Sequence, residues 1–158
     1  MEFSEAVDFI LAHEGGLVDD ADDPGGLTNY GISQRAYPDV KIKDLTIEGA
    51  KYIYKRDYWD KCKADLLPPQ LKYMHFDTAV NMGINRAAKL LQKSVKATPD
   101  GAIGPNTLKA VRDRASVRNY AVQRIYYYIK IIVNRPTSVK YARGWVGRVI
   151  DVIIVTKN

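Results

Sequence analysis

At 158 residues, 46% of them hydrophobic, the chain is long enough for one domain with a real core, or for one domain carrying a small appended lobe, and its composition excludes a disordered protein. Its net charge of +6 conceals an asymmetry, because residues 1–23 hold eight of the 18 acidic residues and no Lys or Arg, leaving 24 basic residues against ten acidic ones in the remainder. A body that basic is drawn to a polyanion, whether nucleic acid, an anionic membrane surface or a bacterial envelope, and charge alone does not choose among them. The single cysteine, Cys62, excludes an intramolecular disulfide and reads as an ordinary, partly buried thiol.

In chain order, the first element is an amphipathic helix with Phe3, Ala6, Val7, Ile10 and Leu11 on one face, capped by Ser4 and ended by Gly15-Gly16. An acidic loop follows, and then Leu27–Ile32, a short strand or hairpin arm. Thr46 caps a helix running to about Trp59, with Ala50, Ile53 and Tyr54 facing inward. Pro68-Pro69 separates it from a helix over Leu71–Met82, whose period gives a half-buried face and which Gly83 stops. Asn85 caps the next helix, to about Val95. Pro105 suits the first turn of a helix over Asn106–Arg114. Ser116 starts the longest helical pattern, with Tyr120, Ala121, Ile125, Tyr128, Ile129 and Ile132 along one side and Arg135-Pro136 at its end. A last helix begins near Lys140. With no repeat and no long polar linker, the expectation is a mainly helical unit with one small hairpin.

The most informative stretch is residues 13–33, which places one glutamate where a helix stops and a glycine-rich turn begins. Glu14 lies four residues after Ile10 and continues the apolar stripe. A carboxylate that faces inward loses water and resists ionisation, which moves it toward the range a general acid needs near neutral pH. Asp19, Asp20, Asp22 and Asp23 follow in one loop, and any that come close act in the same direction. This loop lacks the alternating ligands, central glycine and closing Glu of a calcium hand.

With two histidines, His13 and His75, and no His-Glu-x-x-His pattern, a zinc peptidase is disfavoured, and no metal or organic cofactor is expected. His75 reads as a histidine at the core edge. Asp77 and Asn81 lie one turn apart on the same helix face, Asp77 favouring a structural role and Asn81 a candidate for saccharide contact. Tyr126-Tyr127-Tyr128 resembles a stacking platform for nucleic acid only superficially, because consecutive helical residues point about 100° apart. Trp59 and Trp145 are open between stacking on sugars and anchoring the core.

Glu14-Gly15-Gly16 followed by Asp-Pro-Gly-Gly-x-Thr-Asn-Tyr-Gly-Ile-Ser at 23–33 resembles the signature of glycoside hydrolase family 108, the phage- and prophage-type N-acetylmuramidases. The resemblance continues through Tyr58-Trp59, Phe76-Asp77-x-Ala79-Val80-Asn81-x-Gly83, Leu91-Gln92, Asp100-Gly101-x-Ile103-Gly104-Pro105-x-Thr107-Leu108 and Gly144-Trp145-x-x-Arg148. It implies a lysozyme-like α+β fold, mainly helical, with a small hairpin after the first helix. It also implies a catalytic part over 1–94 and a peptidoglycan-binding part over 95–158, packed into one compact unit. One departure lies in the loop before Asp100, where the family commonly has Leu-Gly and this chain has Val95-Lys96-Ala97-Thr98-Pro99.

The activity implied is that of a lysozyme or endolysin cutting the β-1,4 bond between N-acetylmuramic acid and N-acetylglucosamine, with Glu14 as the acid; some members are described as secretion activators. In tailed-phage lysozymes the Glu is followed nine residues on by an acid and six further by Thr, which from Glu14 lands on Asp23 and Asn29, whereas Asp22 and Thr28 keep the six-residue spacing one position early. Asp22 or Asp23 is thus the second carboxylate, with Thr28 positioning a water and Asn29, Tyr30, Asn81 and Trp59 as substrate contacts. The alternative is a non-catalytic peptidoglycan-binding protein that assists secretion or wall remodelling.

The expected partner is the glycan strand, with no nucleic acid and no stable membrane insertion. Met-Glu-Phe-Ser-Glu lacks the basic and apolar regions of a classical signal peptide. The expectation is synthesis in the cytoplasm, release by a holin or an export system, and action at the wall or periplasm.

Overall fold

The computed structural model describes residues 2–18 and 26–156. Asp19, Asp20, Asp22 and Asp23 lie outside the described residues. Two compact units emerge, one over Phe3–Asp57 and the other from Tyr58 onward together with Glu2. The division falls at 57/58, so residues 58–94 cluster with the C-terminal helices.

The first unit begins with α1 (Phe3–Glu14), in which Ala6, Val7 and Ile10 are fully buried. Because the helix starts at Phe3, Ser4 sits inside its first turn and is not the cap. Strands β1 (Thr28–Asn29) and β2 (Ile32–Ser33) pair antiparallel, with Asn29 opposite Ile32. Tyr30 and Gly31 connect them with φ of 52° and 76°, the two positive values that a type I′ hairpin turn requires. Val18 adds a bridge to Thr28, exchanging backbone bonds of 2.8 and 2.9 Å.

A 3₁₀ turn (Ile42–Asp44) leads into α2 (Ile47–Tyr54), whose cap is Thr46 as expected, its hydroxyl accepting from Gly49 N. The helix relaxes into a π turn over Lys55–Trp59, which accounts for the longer helix read from sequence. Lys51 pairs with Asp8 at 2.8 Å, tying α2 to α1 across a solvated surface.

The second unit is built around α3 (Pro69–Met82), which packs against α4 (Ile84–Ser94), α6 (Val117–Asn134) and α7 (Ala142–Thr156). Surrounded on several sides, α3 buries Leu71 and every residue from Tyr73 to Ala79, more than the half-buried face its period suggested. Its polar residues are therefore satisfied internally. His75, wholly buried and not at an edge, sets its ring nitrogens 2.7 Å from the Tyr120 hydroxyl and 3.0 Å from the Cys62 carbonyl. Burial pushes its pKa down to about 4, leaving the imidazole neutral. Cys62 is buried too, and desolvation raises its thiol to about 12, where it is unreactive at neutral pH.

Asp77 accepts hydrogen bonds from Arg124 at 2.8 Å and Arg148 at 2.9 Å, so one carboxylate on α3 clasps guanidiniums from α6 and α7. Gly83, at φ 84°, caps α4 in place of Asn85. The helix α5 (Pro105–Arg114) begins at Pro105, Ser116 caps α6 as expected, and a 3₁₀ stretch over Pro136–Tyr141 precedes α7. Among the described residues no helix is long and apolar enough to cross a membrane.

Candidate active site

Glu14 is the last residue of α1. The stripe that buries Ala6, Val7 and Ile10 completely runs out at this helix end, so Glu14 is half-buried. Gly15 follows at φ 70°, the left-handed residue that stops a helix without a Cβ penalty.

The hairpin turn meets this carboxylate. A Cβ added at Gly31 would lie 2.7 Å from the Tyr54 hydroxyl and 2.9 Å from both Cγ and Oε2 of Glu14. Glycine is therefore needed twice over, for its positive φ and because the helix-end carboxylate and the Tyr54 phenol close on the same point. The phenol is fixed by donating to the Tyr30 carbonyl at 2.9 Å, and the rest of its ring is buried. Holding a non-glycine residue such as Tyr30 at φ 52° costs about 1–2 kcal/mol, and the Tyr54 bond is one contact that offsets it. Gly31 and Tyr54 were not among the site residues read from sequence. Gly31 stood inside Leu27–Ile32, read as a strand or hairpin arm, and Tyr54 in a helix as an inward residue, and nothing along the chain signalled that they converge.

Thr28 and Asn29, adjacent on β1, point to opposite faces. Thr28 is half-buried, and its hydroxyl bonds to the Gly26 carbonyl at 3.4 Å. Asn29 corrects an expectation. At 6% exposure it donates to the carbonyls of Ile42 and Leu45 at 3.2 and 3.3 Å, so its amide holds the 3₁₀ turn against the hairpin and does not face a substrate. The Tyr30 side chain is half-buried.

Trp59 is a second correction. It is completely buried and meets Phe76 edge to face at 5.2 Å, a core anchor with no face for a sugar. Asn81, in the second unit, is exposed and donates to the Asp77 carbonyl one turn back at 2.9 Å.

The tyrosine run diverges as helix geometry requires: Tyr126 is exposed, Tyr127 lies under the Arg86 guanidinium, and Tyr128 is buried against Trp145 at 4.8 Å. His13 is occupied locally, its Nδ1 2.8 Å from the Phe9 carbonyl. Among the described residues no group of three or more His, Cys, Asp or Glu is placed to hold a metal.

Residues 7–83 match the family described as Glycosyl hydrolase 108, and residues 86–150 match one described as Predicted Peptidoglycan domain. Among solved structures, that of Brucella abortus SagA superposes with a TM-score of 0.83 at 33% identity, covering 98% of this chain and 92% of that one. The chain belongs to the glycosyl hydrolase 108 family. No curated protein matches it.

Membership of the glycosyl hydrolase 108 family, with the peptidoglycan domain behind it, gives the chain a role on peptidoglycan as hydrolase or binder. The fold is the mainly helical, lysozyme-like one expected, with its hairpin directly after the first helical segment. The two family matches meet between 83 and 86, inside the second compact unit, so the evolutionary boundary and the packing boundary do not coincide.

Proposed function

We propose that this glycosyl hydrolase 108 protein is an N-acetylmuramidase in which Glu14 is the general acid for cleavage of the β-1,4 bond between N-acetylmuramic acid and N-acetylglucosamine. The observation that carries this reading is the convergence of the Glu14 carboxylate, the Tyr54 hydroxyl and Gly31 at the hairpin turn. A carboxyl on a half-buried residue at a helix end is placed to deliver a proton to a glycosidic oxygen. As the bond to C1 breaks, the departing sugar takes that proton and positive charge develops on the ring. Asp22 or Asp23 is the carboxylate that meets this charge, as nucleophile or as base for water, and Thr28 orients the water. Tyr30 and Asn81 are the saccharide contacts kept from the sequence reading. No cofactor enters the chemistry, and because the substrate lies outside the cytoplasmic membrane, a holin or an export system delivers the enzyme to it.

The test compares wild type with Glu14→Gln on purified sacculi, with soluble products identified by mass spectrometry. Reducing N-acetylmuramic acid ends from wild type, falling about 10²–10⁴-fold in the variant, are expected. Equal release by both proteins removes Glu14 from the mechanism. Bound protein on uncut sacculi in both samples turns the reading to a non-catalytic binder that assists secretion or wall remodelling.

A further inference from the structure

A cavity of about 620 Å³ opens in the second unit, where the loop after α4 meets the side of α5, and its walls include Lys96, Thr98, Asn106, Lys109, Asp113 and Arg114. This loop is fixed from behind. Gln92, fully buried on α4, donates to Asp100 Oδ1 at 2.7 Å, the Ala102 carbonyl at 3.0 Å and Thr107 Oγ1 at 3.1 Å, and its own carbonyl accepts from Gly101 N at 2.9 Å. Asp100 also accepts from Ala102 N at 2.8 Å, and these bonds hold its carboxyl below the usual range, so its charge serves the loop. Lys63 donates to the Ile103 carbonyl at 2.9 Å. The groove is thus preorganised, with its inner polar groups engaged in building it.

Lys96 supplies the second observation. It follows the C-cap of α4 with φ 59°, the left-handed position that glycine ordinarily takes after a helix. A lysine held there carries backbone strain, and it lines the preorganised groove. Three cations, Lys96, Lys109 and Arg114, line the cavity with two carboxylates, the loop-bound Asp100 and Asp113; Arg114 also donates to the Val95 carbonyl at 3.4 Å, and no aromatic side chain is among the lining residues. Without an aromatic plate the groove has no surface on which the apolar face of a pyranose would stack. Its mixed charge instead matches a short peptide with several carboxylates and one ammonium.

We infer that this groove binds the acidic stem peptide of peptidoglycan, the three cations taking its carboxylates and Asp113 its ammonium. The inference rests on the peptidoglycan reading above and deepens it by assigning this groove to the peptide.

The experiment uses the full chain carrying Glu14→Gln, so that no glycan is cut, and measures by calorimetry its affinity for the tetrapeptide L-alanyl-γ-D-glutamyl-diaminopimelyl-D-alanine and for a peptide-free N-acetylglucosamine tetramer. Lys109→Glu, on the exposed side of α5, and Lys96→Gly are each expected to weaken the peptide by about fivefold or more, the scale of one lost charge-assisted contact. Lys96→Gly should at the same time raise the thermal midpoint, because glycine relieves the left-handed backbone. A purely structural role for Lys96 would raise the midpoint and leave the affinity alone. Unchanged peptide affinity in both variants, no peptide binding by the parent chain, or an equal loss for the sugar tetramer overturns the proposal. Absence of reducing ends from wild type on sacculi would overturn the muramidase reading and leave this binding result standing.

Discussion

The two units solve different problems with the same small set of polar residues. In the first, polar groups lie at ends and turns: Glu14 at a helix terminus, Tyr30 and Gly31 in a two-residue turn with positive φ, and Tyr54 reaching that turn with one hydroxyl. In the second they lie at the centre, where Asp77 and His75 sit inside a wall of helices and are matched by Arg124, Arg148, Tyr120 and a backbone carbonyl. A group at an element's end keeps contact with water and can exchange protons with a ligand. One buried among helices is fixed in a single state, and its contribution is to the fold.

The sharpest break in that contrast is Asp77→Ala. It leaves Arg124 fully buried without its carboxylate, a change that costs about 3–5 kcal/mol. Urea denaturation should show this loss, whereas Arg124→Met combined with Asp77→Ala should recover much of it, since a buried pair replaced by apolar groups is often near neutral. A double variant as unstable as the single one would mean that the pair is net stabilising.

The second test is pH. His75 titrates near 4 when folded against an unfolded value of 6.5, so between these the unfolded chain binds the extra proton and stability falls as pH drops. The full effect, from above pH 6.5 to below 4, is about 3 kcal/mol. His75→Gln should flatten the urea midpoint between pH 7 and 4.5 relative to wild type, and an unchanged slope would assign the acid sensitivity to other groups.

Much of the fold was legible because its signals are local. Thr46 and Ser116 announce helix starts, Pro105 a first turn and Gly83 a stop, and each does so by chemistry confined to its own few residues. The order of elements and the helix-end glutamate were legible for the same reason. What the chain concealed is long-range. Arg124 was not read as a core residue, and its partner Asp77, read as structural, is 47 positions away, so nothing local joined the two as a core pair. Trp59 carries no sign of whether its ring meets water or Phe76, and the amide of Asn29 finds its carbonyls 13 and 16 residues on. The half-buried pattern read for α3 fell short because it followed one stripe, whereas Tyr73, Phe76, Asp77 and Ala79 off that stripe are buried as well.

Smaller in free energy but more telling for the site is Gly31→Ala. The methyl cannot occupy its position while the Tyr54 hydroxyl and the Glu14 carboxylate stay where they are, and the left-handed backbone adds about 1–2 kcal/mol. Thermal unfolding should register the modest stability loss, and muropeptide release should fall much further than it. Activity that tracks the stability loss alone would detach the turn from the chemistry.

Tyr54→Phe is the mildest and the most discriminating. It removes one oxygen, giving up the bond to the Tyr30 carbonyl for about 1 kcal/mol and creating no clash. If the phenol positions Glu14 through the turn, the variant should lower kcat on sacculi with KM little changed, and the loss should persist when activity is compared at equal distance below each protein's Tm. If it only staples the hairpin, the loss disappears in that comparison. That separation is available here because the first unit keeps its polar groups at the ends of elements, where one oxygen can be removed without emptying a core.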